Sequence, residues 1–198
     1  MTFARLLFGI FALVPMLHAG PFPCVSGTLA SYISLGVSGC AIGNIEFVNF
    51  TYSSKTSGGT PGITPDMIQV DPVLVVPQAA SLTFSAKWQA EAGQSEESLI
   101  SYTVIETTRH SAGSLTLQLG AASVTSGVAT VGEKSSVGAL RVYSQCSQMC
   151  QSRTVDTVNF SPVPDGFRVA NQVKVSSTSG TTSLSGFTAI VNLCPACV

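Results

Sequence analysis

The sequence predicts an all-β fold, an antiparallel β-sandwich or jelly roll with one short N-terminal helix. Three observations carry that prediction. Nine or ten short runs of strand character are separated by turns rich in Gly, Ser and Pro, as in antiparallel folds. A single segment shows helical spacing. The composition agrees: of 198 residues, 45% are hydrophobic and 10% charged, which supplies a core and is too little charge for a disordered chain. The 9 Lys+Arg against 10 Asp+Glu lack the basic excess of a nucleic-acid binder. With no Gly period and no charged heptad, collagen and coiled coil are excluded as well.

Residues 1–19 read as a secretory signal peptide. Arg5 provides the positive start, Leu6–Leu17 an apolar run, and Leu17-His18-Ala19 a small-residue cleavage site. A membrane span wants about 20 apolar residues, whereas Pro15, His18, Gly20, Pro21 and Pro23 close this run early. The mature chain is then expected to run from about Gly20 as a single β-sandwich domain over 20–198. Losing Arg5 moves its formal charge from −1 to −2. No later segment is long and apolar enough to span a bilayer, so a secreted protein is expected, extracellular or in the periplasm or envelope.

The helix is Thr28–Gly36, with Leu29, Tyr32 and Ile33 on one face, Thr28 as cap and Gly36 as stop. From Ile45 to Tyr52 the residues are aromatic and β-branched, as strands prefer. Ser53–Pro65 reads as a long loop. Met67–Val76 is a strand interrupted by Pro72, which suggests an edge or a bulge. The clearest strand is Ser81–Ala90, where Leu82, Phe84, Ala86, Trp88 and Ala90 alternate with polar residues. A polar loop, Glu91–Ser98, leads to Leu99–Thr108. Further strands are expected at Leu115–Leu119, Val124–Gly132, Gly138–Cys146, Val155–Phe160, Phe167–Ser176 and Phe187–Leu193. No internal repeat and no linker divides the chain.

Six cysteines, Cys24, Cys40, Cys146, Cys150, Cys194 and Cys197, follow the signal. An even count in an exported chain favours disulfides, and six allow 15 pairings. Cys24–Cys40 is the preferred pair, with the other four pairing among themselves. Closing that first loop contributes about 3 kcal/mol in the chain-entropy model. Two alternatives are a zinc site built from Cys146-x3-Cys150 and Cys194-x2-Cys197, and a redox-active Cys194-Pro-Ala-Cys197. An oxidising compartment argues against the first. Against the second, the motif opens no helix, where a low-pKa thiolate is made.

The chain offers few tools for catalysis. After the signal, His110 is the one histidine. It could join Asp156 or Asp165 in a Ser-His-Asp arrangement, but no Gly-x-Ser-x-Gly elbow presents a nucleophile. Glu96 and Glu97 are adjacent on an expected surface loop, where solvation is the simpler reading than the facing carboxylates of a glycosidase. Asp66 and Asp71 lack the compact acidic loop that calcium needs, and Asp165-Gly166 reads as a hairpin signal. Trp88 falls on the apolar face of its strand and is expected in the core. Tyr52 and Tyr143 are weaker candidates for a binding platform. Asn49-Phe50-Thr51 and Asn159-Phe160-Ser161 are glycosylation sequons, the second followed by Pro162. No catalytic residue, metal ligand or cofactor-binding residue is assigned.

Leu29-Ala30-Ser31-Tyr32-Ile33-Ser34-Leu35-Gly36, Gly39-Cys40-Ala41-Ile42-Gly43-Asn44 and Phe47-Val48-Asn49-Phe50-Thr51-Tyr52 resemble a family of exported bacterial proteins, many of which carry a PEP-CTERM sorting tail. Leu82–Trp88, Gly93-Gln94-Ser95, Ile100-Ser101-Tyr102 and Val131-Gly132-Glu133 are similar in order and spacing. The tail itself is absent: the chain ends Leu193-Cys194-Pro195-Ala196-Cys197-Val198, so covalent sorting is not implied. The resemblance implies export, a bacterial source, a β-rich fold and a structural role for Cys24 and Cys40. It supplies no catalytic residues.

Taken together, these readings describe an exported, disulfide-stabilised β-sandwich protein with a non-catalytic binding or surface-matrix role. Carbohydrate or a surface protein is the expected partner. An extracellular glycan-acting hydrolase is the alternative.

Overall fold

The computed structural model describes residues 21–76, 78–108 and 112–194, with Cys194 described by its backbone alone. The signal segment, His110, Cys197 and the side chain of Cys194 lie outside the described residues.

The chain forms two antiparallel sheets packed as a β-sandwich. In chain order the strands are β1 (Gly27–Thr28), β2 (Cys40–Ile42), β3 (Ile45–Ser57), β4 (Gln69–Val76), β5 (Ala79–Glu91), β6 (Ser95–Glu106) and β7 (Ala112–Leu119). They continue as β8 (Ala122–Val124), β9 (Gly127–Ser135), β10 (Gly138–Cys146), β11 (Cys150–Arg153), β12 (Val155–Phe160), β13 (Gly166–Ser177) and β14 (Thr181–Cys194). Sheet I runs β1-β4-β5-β14-β7-β12, with β8 also on β14; sheet II runs β11-β10-β9-β13-β6-β3-β2.

The pairings decide between the two architectures left open by the sequence. Take the eight strands β5, β6, β7, β9, β10, β12, β13 and β14 in chain order. The first pairs with the last, β5 with β14, and β6 then pairs with β13. Inside these, β7 pairs with β12 and β9 with β10. That nesting is one long hairpin wound into two sheets, which is the jelly roll.

Local chemistry explains the elements. Helix α1 (Leu29–Ser34) starts where Thr28 accepts a hydrogen bond from the Ser31 N–H at 3.3 Å. It buries Leu29 and Tyr32, and Tyr32 donates from its hydroxyl to the Val25 carbonyl at 2.8 Å. Burial pushes the Tyr32 phenol up to about 12. At Gly39 (φ +53°) a Cβ would sit 2.3 Å from the Phe47 carbonyl oxygen, so only glycine lets the chain entering β2 lie this close to β3. Cys24 and Cys40 are bonded, with Cα atoms 4.8 Å apart, and fasten the N-terminal segment to β2.

Several boundaries differ from the sequence expectation. The run after Tyr52 stays in β3 to Ser57 because it pairs with β6 as far as Ser57↔Ser95. The expected polar loop 91–98 shrinks for the same reason, since β6 begins at Ser95. Asp165-Gly166 starts no hairpin: β12 belongs to sheet I and β13 to sheet II, so this segment crosses between layers. Strands β1, β2, β8 and β11, each two to four residues long, escape a periodicity reading because they are too short to show a period.

The core lies between the sheets. Phe47, Phe50 and Tyr102 come from sheet II; Phe84, Trp88 and Phe187 come from sheet I, and all are buried. Tyr102 stacks on Phe84 at 6.1 Å and Phe84 on Phe187 at 4.9 Å. Rings therefore bridge the layers, adding stacking to area burial.

Candidate functional site

Trp88 is fully buried and donates from its indole N–H to Ser98 Oγ at 3.0 Å. It is core, as its alternation implies. Tyr52 contacts the same Ser98 Oγ at 3.0 Å and donates to the Ile63 carbonyl at 2.7 Å. The Ile63 N–H donates to Glu96 Oε1 at 2.9 Å, and Gln89 N–H to Glu96 Oε2 at 3.4 Å. Glu96 is thus not a solvated loop residue. It is 1% exposed, and burial raises its carboxyl above the ordinary range against the pull of those two amides.

Glu97 points the other way, because neighbouring strand residues face opposite sides of a sheet. It accepts from Gln172 Nε2 at 2.8 Å on the outer face of sheet II. Glu96 and Glu97 therefore cannot flank one glycosidic bond. Asp156 is also engaged elsewhere: it accepts from the Arg141 backbone N–H at 2.8 Å and pairs with Arg153. Asp66 accepts from the Thr64 hydroxyl at 3.0 Å, and no cluster of metal-ligating side chains occurs among the described residues. Asn49 is exposed at φ +56°, in the irregularity between Val48 and Thr51. Cys146 and Cys150 are bonded to each other, so they are not two thiolates of a four-cysteine zinc site.

The structure assembles a different place: a groove of about 780 Å³ across the outer face of sheet II. Its middle row crosses four strands, Arg141 facing Gly132, Gly132 facing Gln172, and Gln172 facing Leu99. The row on one side is Tyr143, Thr130, Lys174 and Glu97; on the other, Ala139, Lys134 and Ala170. Small residues make the floor. A Cβ added at Gly132 would meet nothing within 4 Å, so the depression is open above it.

The walls are polar. The Arg141 guanidinium lies 5.7 Å above the Tyr143 ring and reaches Thr130 Oγ1 at 3.4 Å. Arg153 and Asp156 close that end. Lys134, Arg141, Arg153 and Lys174 line the groove with the carboxylates of Glu97 and Asp156. The third acid there, Glu133, is buried and its carboxyl is pushed up to about 8 by burial. That leaves an excess of two positive charges at pH 7 in a chain of net −1. Neither Lys134 nor Lys174 forms an ion pair with a described residue.

Of these residues, Tyr143, Glu97 and Asp156 draw notice in the sequence, the two acids for other roles, and Gly132 only within a stretch of family resemblance; the cations do not. The alternation of Arg168, Gln172 and Lys174 with Phe167, Val169, Val173 and Val175 does mark a wet face. What the sequence does not show is that β13 lies beside β9 and β6, which are distant along the chain.

No family model matches the sequence, and no curated protein matches it. Solved structures show partial likeness, among them the following three. The enzymatically active domain of bacteriophage CBA120 tailspike protein 4 aligns with 74% of this chain at 15% identity and TM-score 0.32. This chain spans about a fifth of that one, 19%. A carbohydrate-binding module of the β-sandwich superfamily aligns over 77% of this chain and 56% of its own, at 8% identity and TM-score 0.24. The family 11 carbohydrate-binding module of Clostridium thermocellum, solved with a β-1,3-1,4-mixed-linked tetrasaccharide, aligns over 75% and 89%, at 10% identity and TM-score 0.17. At these scores none of the three bears on what this chain binds.

Proposed function

We propose that the protein is an exported, non-catalytic glycan-binding jelly roll, and that the outer groove of sheet II is its binding face. The observation that carries this reading is the groove's make-up: an open floor of small residues, Ala139, Gly132 and Ala170, crossing β10, β9 and β13, bounded on β6 by Leu99 and Glu97 and walled by hydroxyl, amide, guanidinium, ammonium and carboxylate groups. Glycans present rows of hydroxyls, each able to give and take hydrogen bonds. Each such bond contributes about 0.5–1.5 kcal/mol net, so a row of side chains is needed and this face supplies one. Export is supported by the two disulfides, which persist in oxidising compartments. No described helix is long and apolar enough to cross a membrane. The resemblance to exported bacterial proteins with PEP-CTERM tails belongs to the same proposal.

Gly132→Leu tests it. The site is open and its backbone is not left-handed, and leucine suits a strand better than glycine. The variant should melt no lower than the parent and lose at least about tenfold in polysaccharide affinity, about 1.4 kcal/mol, by affinity electrophoresis on a neutral and acidic glycan panel. Unchanged binding by a folded Gly132→Leu chain removes the groove from consideration.

A further inference from the structure

We infer that the glycan this groove accepts is an acidic polysaccharide, one bearing carboxylate or sulfate groups; the inference rests on the glycan-binding reading above. Charge points there first. Four cations line the groove against the carboxylates of Glu97 and Asp156, and the remaining acidic lining residue, Glu133, has its side chain buried in the core. Asp156 is already held by Arg153 and by the Arg141 N–H, and Glu97 by Gln172. Lys134 and Lys174 are left as cations without a described ionic partner.

Spacing points the same way. Lys174 stands in one side row of the groove, Arg141 in the middle row and Lys134 in the other side row. A compact anion such as phosphate is held by donors that converge on one point. Cations distributed across strands about 4.8 Å apart instead suit a chain whose negative charges repeat along its length. Thr130 and Gln172 stand between the cations, where they meet hydroxyls.

The aromatic rings are placed for other work. Neutral glycans and single-stranded nucleic acids are commonly held by stacking on exposed aromatic faces. Beside the groove, Tyr143 already carries the Arg141 guanidinium on its face, and the sole tryptophan, Trp88, is buried between the sheets. Recognition here must come from charge and hydrogen bonding.

The test measures binding of the full exported chain to polygalacturonate and to its fully methyl-esterified form, which keeps the backbone and removes the charge. Dextran sulfate and dextran form a second pair. Each acidic polymer should bind at least about tenfold tighter than its neutral counterpart, and the preference should shrink as salt shortens the screening length from about 10 Å at 0.1 M to 3 Å at 1 M. The double variant Lys134→Gln, Lys174→Gln should lose that preference and keep its melting temperature. Equal binding of charged and neutral polymers, or an unaffected double variant, overturns the acidic assignment and leaves the glycan reading standing. Binding to none of the four overturns both. Tighter binding to single-stranded DNA or to anionic phospholipid vesicles than to either acidic polymer also overturns the assignment.

Discussion

Glu133 is a carboxylic acid that the fold withholds from water. It lies inward on β9, opposite Asn171 of β13, and both residues are buried. Neither of its two oxygens finds a protein hydrogen-bond partner, in a layer where Tyr102 packs among Phe47, Phe50 and Phe84. Burial pushes the Glu133 carboxyl up to about 8, and burial likewise drives the Tyr102 phenol far above its ordinary value. The stability consequence follows from the sign of the shift. Below the ordinary carboxyl value of 4.5 the group is protonated in both states and nothing is lost. Between there and about 8 the unfolded chain ionises while the folded one holds its proton, so stability falls as pH rises. The loss reaches about 3 kcal/mol at pH 7. Glu133→Gln removes the titration and keeps the size. Denaturant unfolding from pH 4 to 8 should show the parent weakening with pH, and the variant should be flatter and more stable at pH 8. Parallel pH profiles would show that Glu133 is ionised within the fold and that its burial is compensated.

At the scale of elements, the middle of the segment between β3 and β4 is strapped to the end of the sandwich through the backbone of Ile63. Ile63 is held at both polar groups, its N–H by Glu96 and its carbonyl by Tyr52. Glu96→Gln keeps one acceptor oxygen and replaces the other with a donor, so either the Ile63 or the Gln89 amide loses its partner. A buried orphan amide costs about 1–3 kcal/mol, partly offset by no longer burying an acid. The expected outcome is a lower unfolding free energy and faster hydrogen exchange at Ile63 or at Gln89, with the Leu115 and Leu117 amides of β7 unaffected. Unchanged exchange at both Ile63 and Gln89 would show that neither amide depends on the carboxylate. Sequence reading reaches this region only in part. The strand Ser81–Ala90 and its buried Trp88 are legible because strict alternation reports a half-buried sheet directly. Glu96 is misread because a polar run, Gln94-Ser95-Glu96-Glu97-Ser98, carries no local sign that Glu96 and Ser98 turn inward. That is decided by pairing with Lys55–Ser57 and Val173–Ser176. The groove is hidden for the same reason: Gly132 meets Arg141 across a short hairpin, but Gln172, forty residues on, is brought beside it by a pairing that no local window contains.

For the molecule as a whole, the nesting of β5 with β14 makes the first and last strands of the roll neighbours in the middle of sheet I, and leaves the sheet's vulnerable line at β4. There β1 covers only Gln69 and Val70, and Val73, Leu74, Val75 and Val76 are each about half exposed. An open, apolar edge is a template for pairing with another chain. Pro72 stands at that edge. The Ile68 carbonyl accepts from Leu29 N–H, so Ile68 directs its hydrogen-bonding groups away from β5. Strand alternation gives Val70 and Pro72 the same direction. The missing N–H of Pro72 therefore costs the β4–β5 ladder nothing and denies an incoming strand a donor. The irregular register between Leu74 and Val76 breaks the line a second time. Pro72→Val restores the donor inside the run from Val70 to Val76. That run then holds no proline, is β-branched or apolar at every position but Asp71, and carries one charge, the profile of a segment prone to intermolecular pairing. The variant should fold and then self-associate with rising concentration, seen as a growing sedimentation coefficient where the parent's stays constant. Should it sediment as the parent does across the same range, the register break alone would be protecting the edge. Adding Leu74→Lys in the Pro72→Val background separates the cases further, since a charge on the strand should reverse any association that proceeds through β4 and leave association through another surface unchanged.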